Sequence, residues 1–311
     1  MKRCDYFKRI FSFILCVLIA FFAASCSKKG SSETETQGTT VQEITTVQLS
    51  DKVKANGFMP EMMPAGFPDK LPAAITCKTQ SRFFADEETY GYKTDFIRLR
   101  LAGDFSAFNE LNILLRGKGW TGGCEEYSEE EQTGEENDGQ NRWIQGYWSN
   151  REYICAFSEC DYDSEKLTYT VSLDAYENIF EFPPEVAKHF PAFNAPSLGQ
   201  CKISVYKNNG TEVTDYGNID SYKWICNCNE NAFFVGVDFN TFDEYVTELA
   251  DAGFILSEKE GSNEHGSFCT IEAKKVSGGK TYYAYLTYVD YLKTVSGAYM
   301  NDLDFFNNNN L

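Results

Sequence analysis

Histidine is almost missing from these 311 residues, which contain only His189 and His265. Catalysis by several imidazoles, or a metal site built chiefly from them, therefore has too few groups to work with. Bases are scarce as well: 28 Lys and Arg stand against 46 Asp and Glu, for a formal charge of -18. Sequence-independent nucleic-acid binding needs a cationic footprint to displace counterions from phosphates, so no nucleic-acid partner is expected. No apolar run reaches the roughly 20 residues of a spanning helix; the longest covers 13 residues, Ile10 to Phe22. A Gly-rich phosphate loop is also lacking. What is present is globular in kind, 42% hydrophobic and 15% aromatic with 11 cysteines, and long enough for about two domains.

The first 25 residues follow the order of an export signal: Lys2, Arg3, Lys8 and Arg9, then the apolar run, then the small residues Ala23, Ala24 and Ser25 before Cys26. The stretch Phe22-Ala23-Ala24-Ser25-Cys26 resembles the lipobox of bacterial lipoproteins. That resemblance implies cleavage after Ser25, lipidation of Cys26, and a membrane partner reached through the lipid anchor. Each buried CH2 of such a chain contributes ~0.8 kcal/mol, so several acyl chains hold a protein stably at a bilayer. Ser27 in the second mature position resembles the outer-membrane sorting pattern of diderm lipoproteins. Residues 26–57 are rich in Ser, Thr, Gln and Lys and read as a disordered tether. Removing the signal takes four bases and one acid with it, which deepens the negative charge.

All eight prolines fall in two clusters, Pro60, Pro64, Pro68, Pro72 and Pro183, Pro184, Pro191, Pro196. Each cluster holds a Phe-Pro pair, Phe67-Pro68 or Phe190-Pro191, and leads to a cysteine, Cys77 or Cys201. Proline fixes φ and donates nothing to a ladder, so each cluster reads as a stiff leading segment. A second correspondence runs at a constant offset of 134. Leu99, Leu101, Phe105, Phe108, Leu111, Leu115, Gly119 and Trp120 match Phe233, Val235, Phe239, Phe242, Tyr245, Leu249, Gly253 and Phe254. A shared apolar pattern without gaps is the mark of an internal repeat. It predicts modules over 58–178 and 179–311, the second with a C-terminal tail.

Within each module, Ile97, Leu99 and Leu101 alternate with Arg98 and Arg100 as a strand with one wet face. Thr241 with Glu244 suggests a capping box, and Phe242, Tyr245, Val246 and Leu249 form one helical stripe ending at Gly253. Leu167, Tyr169, Val171 and Leu173, then Cys269, Ile271 and Ala273, then Tyr283, Tyr285 and Val289, read as further strands, with a hairpin at Ser277-Gly278-Gly279. The expected fold is α+β: two tandem repeats, each a mainly antiparallel sheet with one amphipathic helix packed on one face. The Phe-Pro lead, Phe-rich helix and Gly-Trp or Gly-Phe exit resemble modules of uncharacterised bacterial lipoproteins over roughly residues 58–290. That resemblance implies no activity and no binding residue.

Eight cysteines beyond Cys26 allow up to four disulfides outside the cytoplasm, although apolar strand positions such as Cys155 and Cys269 suit buried free thiols. Cys226, Cys228, His265 and Cys269 would make a three-sulfur, one-nitrogen set, but the spacing is not that of structural zinc, and no metal site or cofactor is assigned. Glu125 to Asp138 holds eight acids and no base, which reads as a solvated loop rather than a calcium site. Trp143, Tyr147, Trp148, Tyr282 and Tyr288 are the candidate ligand-binding aromatics, set on strands where a ring left exposed could stack on sugar or meet an envelope protein. No catalytic residue is assigned. The functional expectation is an exported, lipid-anchored envelope protein with a non-catalytic binding or scaffold role. The alternative is an exported enzyme or accessory protein acting on envelope or extracellular polysaccharide.

Overall fold

The structure, a computed structural model, describes residues 45–47, 57–85, 94–128, 142–228, 233–263 and 265–309. The signal segment, Cys26, most of the tether and the acids from Glu129 to Asp138 lie outside the described residues. Two antiparallel sheets dominate. The first has seven strands, β1 (Thr45–Val47), β2 (Thr76–Ala85), β3 (Thr94–Gly103), β4 (Thr121–Ser128), β5 (Arg142–Ser149), β6 (Tyr153–Asp163) and β7 (Thr168–Glu177), in the spatial order β1-β2-β3-β7-β6-β5-β4. β1 falls within the span read as tether and pairs with β2.

The second sheet contains β8 (Ser197–Leu198), β9 (Lys202–Tyr206), β10 (Lys223–Cys228), β11 (Phe233–Val235), β12 (Ile255–Asn263), β13 (Gly266–Ser277), β14 (Lys280–Val289) and β15 (Thr294–Met300). Its order is β12-β13-β14-β15-β10-β9, while β11 pairs with both β15 and β8. β12 is a border strand carrying exposed Ile255, Glu258, Lys259 and Glu260. Gly278 and Gly279, at φ 59° and 77°, make the two-residue turn that joins Ser277 to Lys280, as the hairpin reading expects.

Helix is the minor component. α1 (Phe105–Gly117) and α3 (Phe239–Asp251) have 13 residues each; α2 (Pro184–Ala187) is a single turn and α4 (Leu303–Asn309) a short C-terminal helix. The α+β expectation therefore stands only in its coarser part, the mainly antiparallel sheets. α1 buries Phe108, Leu111 and Leu115 among Leu99, Leu101, Val171 and Leu173. α3 buries Phe242, Tyr245 and Leu249 among Ile271, Ala284 and Leu286. Each helix starts at an aspartate: Asp104 accepts from the Ala107 amide and Asp238 from the Thr241 amide, both at 2.8 Å. Each ends at a glycine with φ +88°, Gly119 or Gly253. There the amide of Trp120 reaches back to the Leu115 carbonyl and that of Phe254 to the Leu249 carbonyl, each at 3.1 Å.

Three readings need correction. Thr241 lies inside α3, because the cap is Asp238. Leu167 is an exposed turn residue at φ 53°, so β7 begins at Thr168. The C-terminal residues are more than a tail: Thr294–Met300 sits between β14 and β10, and α4 lays Phe305 and Phe306 over Ile225, Ala298 and Met300. Among the described residues no helix is long and apolar enough to cross a membrane.

The halves meet in a shared apolar cluster. Phe96, Tyr147, Ile154 and Tyr176 from the first sheet are buried with Phe233, Val235 and Leu292 from the second half. Gly123 lets the chains close, since a Cβ there would stand 1.9 Å from the Tyr291 carbonyl oxygen. The wet face of β3 is a charge ladder, with Arg98 holding buried Asp174 through two bonds of 2.6 and 2.7 Å.

Candidate functional site

The sequence-predicted aromatics are mainly structural. Trp148 is fully buried and donates its Nε1–H to Asn112 at 2.9 Å. Tyr147 meets Phe233 edge-on at 4.9 Å in the shared cluster. Tyr282 stacks on His189 at 4.2 Å, and Tyr288 stacks on Phe242 of α3 at 5.3 Å. Only Trp143 is half-buried, stacked on Tyr127 at 5.8 Å. A solvent-facing platform of these five rings is not assembled: Tyr147 and Trp148 of β5 are buried, and both faces of β14 are covered. Tyr282 and Tyr288 face the core beneath α3, while Tyr283 and Tyr285 pack on the side of α4.

A cleft of about 350 Å³ lies where β10, β14 and the start of α4 converge. Tyr222, Lys223, Lys280, Tyr283, Asp302 and Asp304 are among the residues that line it. Its floor is fixed by buried Asn301, which accepts from the Trp224 amide at 2.9 Å and donates to the Tyr222 carbonyl at 2.7 Å. Asp302 caps α4 through the Phe305 amide at 2.8 Å and pairs with Lys223. Partial burial pushes the Asp302 carboxyl upward, but the bonds from Lys223 and the Phe305 amide outweigh it and hold the group below its ordinary value. The site thus offers ammonium, carboxylate, amide and two aromatic rings on a rigid base. Sequence reading missed it because the adjacent Tyr222 and Lys223 lie far along the chain from Asp302, 79 residues separating Lys223 from it, and the three belong to no motif.

The histidines sit elsewhere. His189 Nε2 lies 2.8 Å from Asp220 Oδ1, and His265 packs on Tyr127 at 4.6 Å with Nδ1 3.7 Å from Glu125. His265 thus leaves its hairpin to touch the first half of the chain. The sulfur-and-nitrogen set considered from sequence does not gather, for Cys269 donates to Glu258 at 3.2 Å and His265 belongs to the seam. Cys226 and Cys228 gather with Cys201 instead, their three Sγ atoms within 4.8 Å of one another. Cys201 and Cys228 form a disulfide, while Cys77, Cys124, Cys155, Cys226 and Cys269 remain thiols. Burial, with a smaller push from Glu185, raises the Cys226 thiol to about 12.

Comparison with protein-family models, with curated proteins and with solved structures finds no match.

Proposed function

We propose that this chain is an exported protein held at the cell envelope by a lipid on Cys26, and that its two halves are copies of one module with a non-catalytic binding role. Support for the duplication comes from connectivity. β2-β3-β7-β6-β5-β4 in the first sheet parallels β8/β9, then β10/β11, then β15-β14-β13-β12 in the second. In each half the helix joins the central strand to the border strand, and its capping aspartate and terminal glycine recur 134 positions apart. The Phe of each Phe-Pro pair packs on the ring that follows the helix: Phe67 on Trp120 at 6.2 Å, and Phe190 on Phe254 at 5.1 Å.

The observation that carries the binding role is the cleft beside α4, and its chemistry suits a carbohydrate of the envelope. Hydroxyl-rich ligands need both donors and acceptors, which Lys223, Lys280, Asp302 and Asp304 provide, and a ring such as Tyr283 offers an apolar edge. The test is a screen of envelope glycans against the full chain in detergent, with Tyr283→Ala and Lys280→Ala as comparators. We expect a retained glycan and at least tenfold weaker binding by both variants. Retention of no glycan, or equal binding by the variants, rejects the reading. In a companion experiment, Cys26→Ala should move the protein from the detergent-rich to the aqueous phase.

A further inference from the structure

We propose that reduction of the Cys201–Cys228 bridge opens a three-thiolate site for a soft divalent d10 ion of the zinc type. The argument begins with register. In the antiparallel pair of β9 and β10, Ile203 stands opposite Cys226 and Lys202 opposite Asn227, so the next rung brings Cys201 to Cys228. Their Cα atoms are 5.0 Å apart. Cys226 precedes Cys228 by two residues on the same strand, and both point into the same core. The third sulfur is thus fixed by the strand itself.

A thiolate–zinc bond of about 2.3 Å puts two sulfurs on one ion roughly 3.8 to 4.0 Å apart. The three Sγ atoms here are within 4.8 Å of one another. The two bonded sulfurs must separate once reduced, and rotation of Cys201, the less buried of the pair, supplies that movement. An all-sulfur donor set selects soft ions. Charge then distinguishes among them: three thiolates leave one net negative charge on a divalent ion but two on a monovalent ion. Cys226 and Cys228 are fully buried, and an apolar interior favours the smaller charge. Among the described residues the group contains these three ligands and no fourth, so the remaining coordination position goes to water on the side of Cys201, the least buried of the three.

The steps balance with a dithiol as reductant. The dithiol gives two electrons and two protons to the bridge, becoming a disulfide as Cys201 and Cys228 become thiols. The ion then displaces three protons and forms three metal–sulfur bonds. Metal uptake is therefore gated by the redox state of one bridge.

The full chain, purified in detergent, is prepared oxidised and, separately, reduced with dithiothreitol and desalted without oxygen. Both are titrated with zinc against a chromophoric chelator, and cobalt replaces zinc to report thiolate ligation by its charge-transfer absorption. The reduced chain should take up one ion at least ten times more tightly than the oxidised chain. Cys226→Ser and Cys201→Ser should each lose at least tenfold, while Cys124→Ser and Cys269→Ser should retain the affinity. Equal uptake by oxidised and reduced wild type, an unaffected Cys226→Ser, or loss of the native circular dichroism on reduction would overturn the proposal. The oxidised-against-reduced comparison needs no substitution, so it stands even where a serine variant fails to fold.

Discussion

A thiol reacts as its thiolate, so burial that disfavours the charged form also slows alkylation. Burial pushes Cys77 up to about 11 and Cys124 to about 12, and raises Cys155 well above the ordinary value with a smaller push from Asp174. Cys160 is only half-buried. Iodoacetamide at pH 8 should therefore modify Cys160 first and leave Cys77, Cys124 and Cys155 intact until denaturant is added, as residue-level mass mapping will report. Burial of these thiols was partly legible, since Cys155 lies in an apolar strand context. The partner of Cys201 was not legible, because pairing across β9 and β10 depends on register, which proline spacing does not encode. The aromatics show the same boundary: alternation assigns Tyr282 and Tyr283 to opposite faces of β14, but nothing in that pattern says both faces are covered.

Helix ends are where local chemistry and pH meet. The Asp238 carboxyl is held below its ordinary value of 3.8, chiefly by the Thr241 amide and against the upward push of partial burial. A folded-state value lower than the unfolded one gives stability that is complete above the unfolded value and is lost as pH falls through the folded one. Asp238→Ala should cost about 1 kcal/mol at neutral pH. The difference between variant and wild type should shrink as urea unfolding is repeated below about pH 4. Asp104→Ala should cost a similar amount at neutral pH, about 1 kcal/mol. Both helices and the Gly278–Gly279 hairpin were legible because periods of 3.6 and 2 and a glycine pair are local signals. The start of α3 was misplaced because Thr241 and Glu244 imitate a capping box one turn inside the true cap. α4 was missed because its residues read only as a C-terminal tail, although Phe305 and Phe306 had a sheet face to cover.

Across the whole molecule, the seam binds the fate of one half to that of the other. Phe233 is buried there against Tyr147, and Phe233→Ala should cost about 3–5 kcal/mol. Scanning calorimetry of the wild type should show one transition, and the variant should resolve two as the halves uncouple. This packing left little trace in the sequence, since contacts between distant segments have no period. The one hint was a glycine such as Gly123 inside a strand, where close approach of another backbone explains the missing side chain. Beyond the seam lies the border at β12, where Glu258, Lys259 and Glu260 stand outward in succession. A neighbouring molecule adding a strand there would have to strip water from alternating charges to gain each new rung. Strand addition at this margin is therefore disfavoured, and the charges end the ladder there.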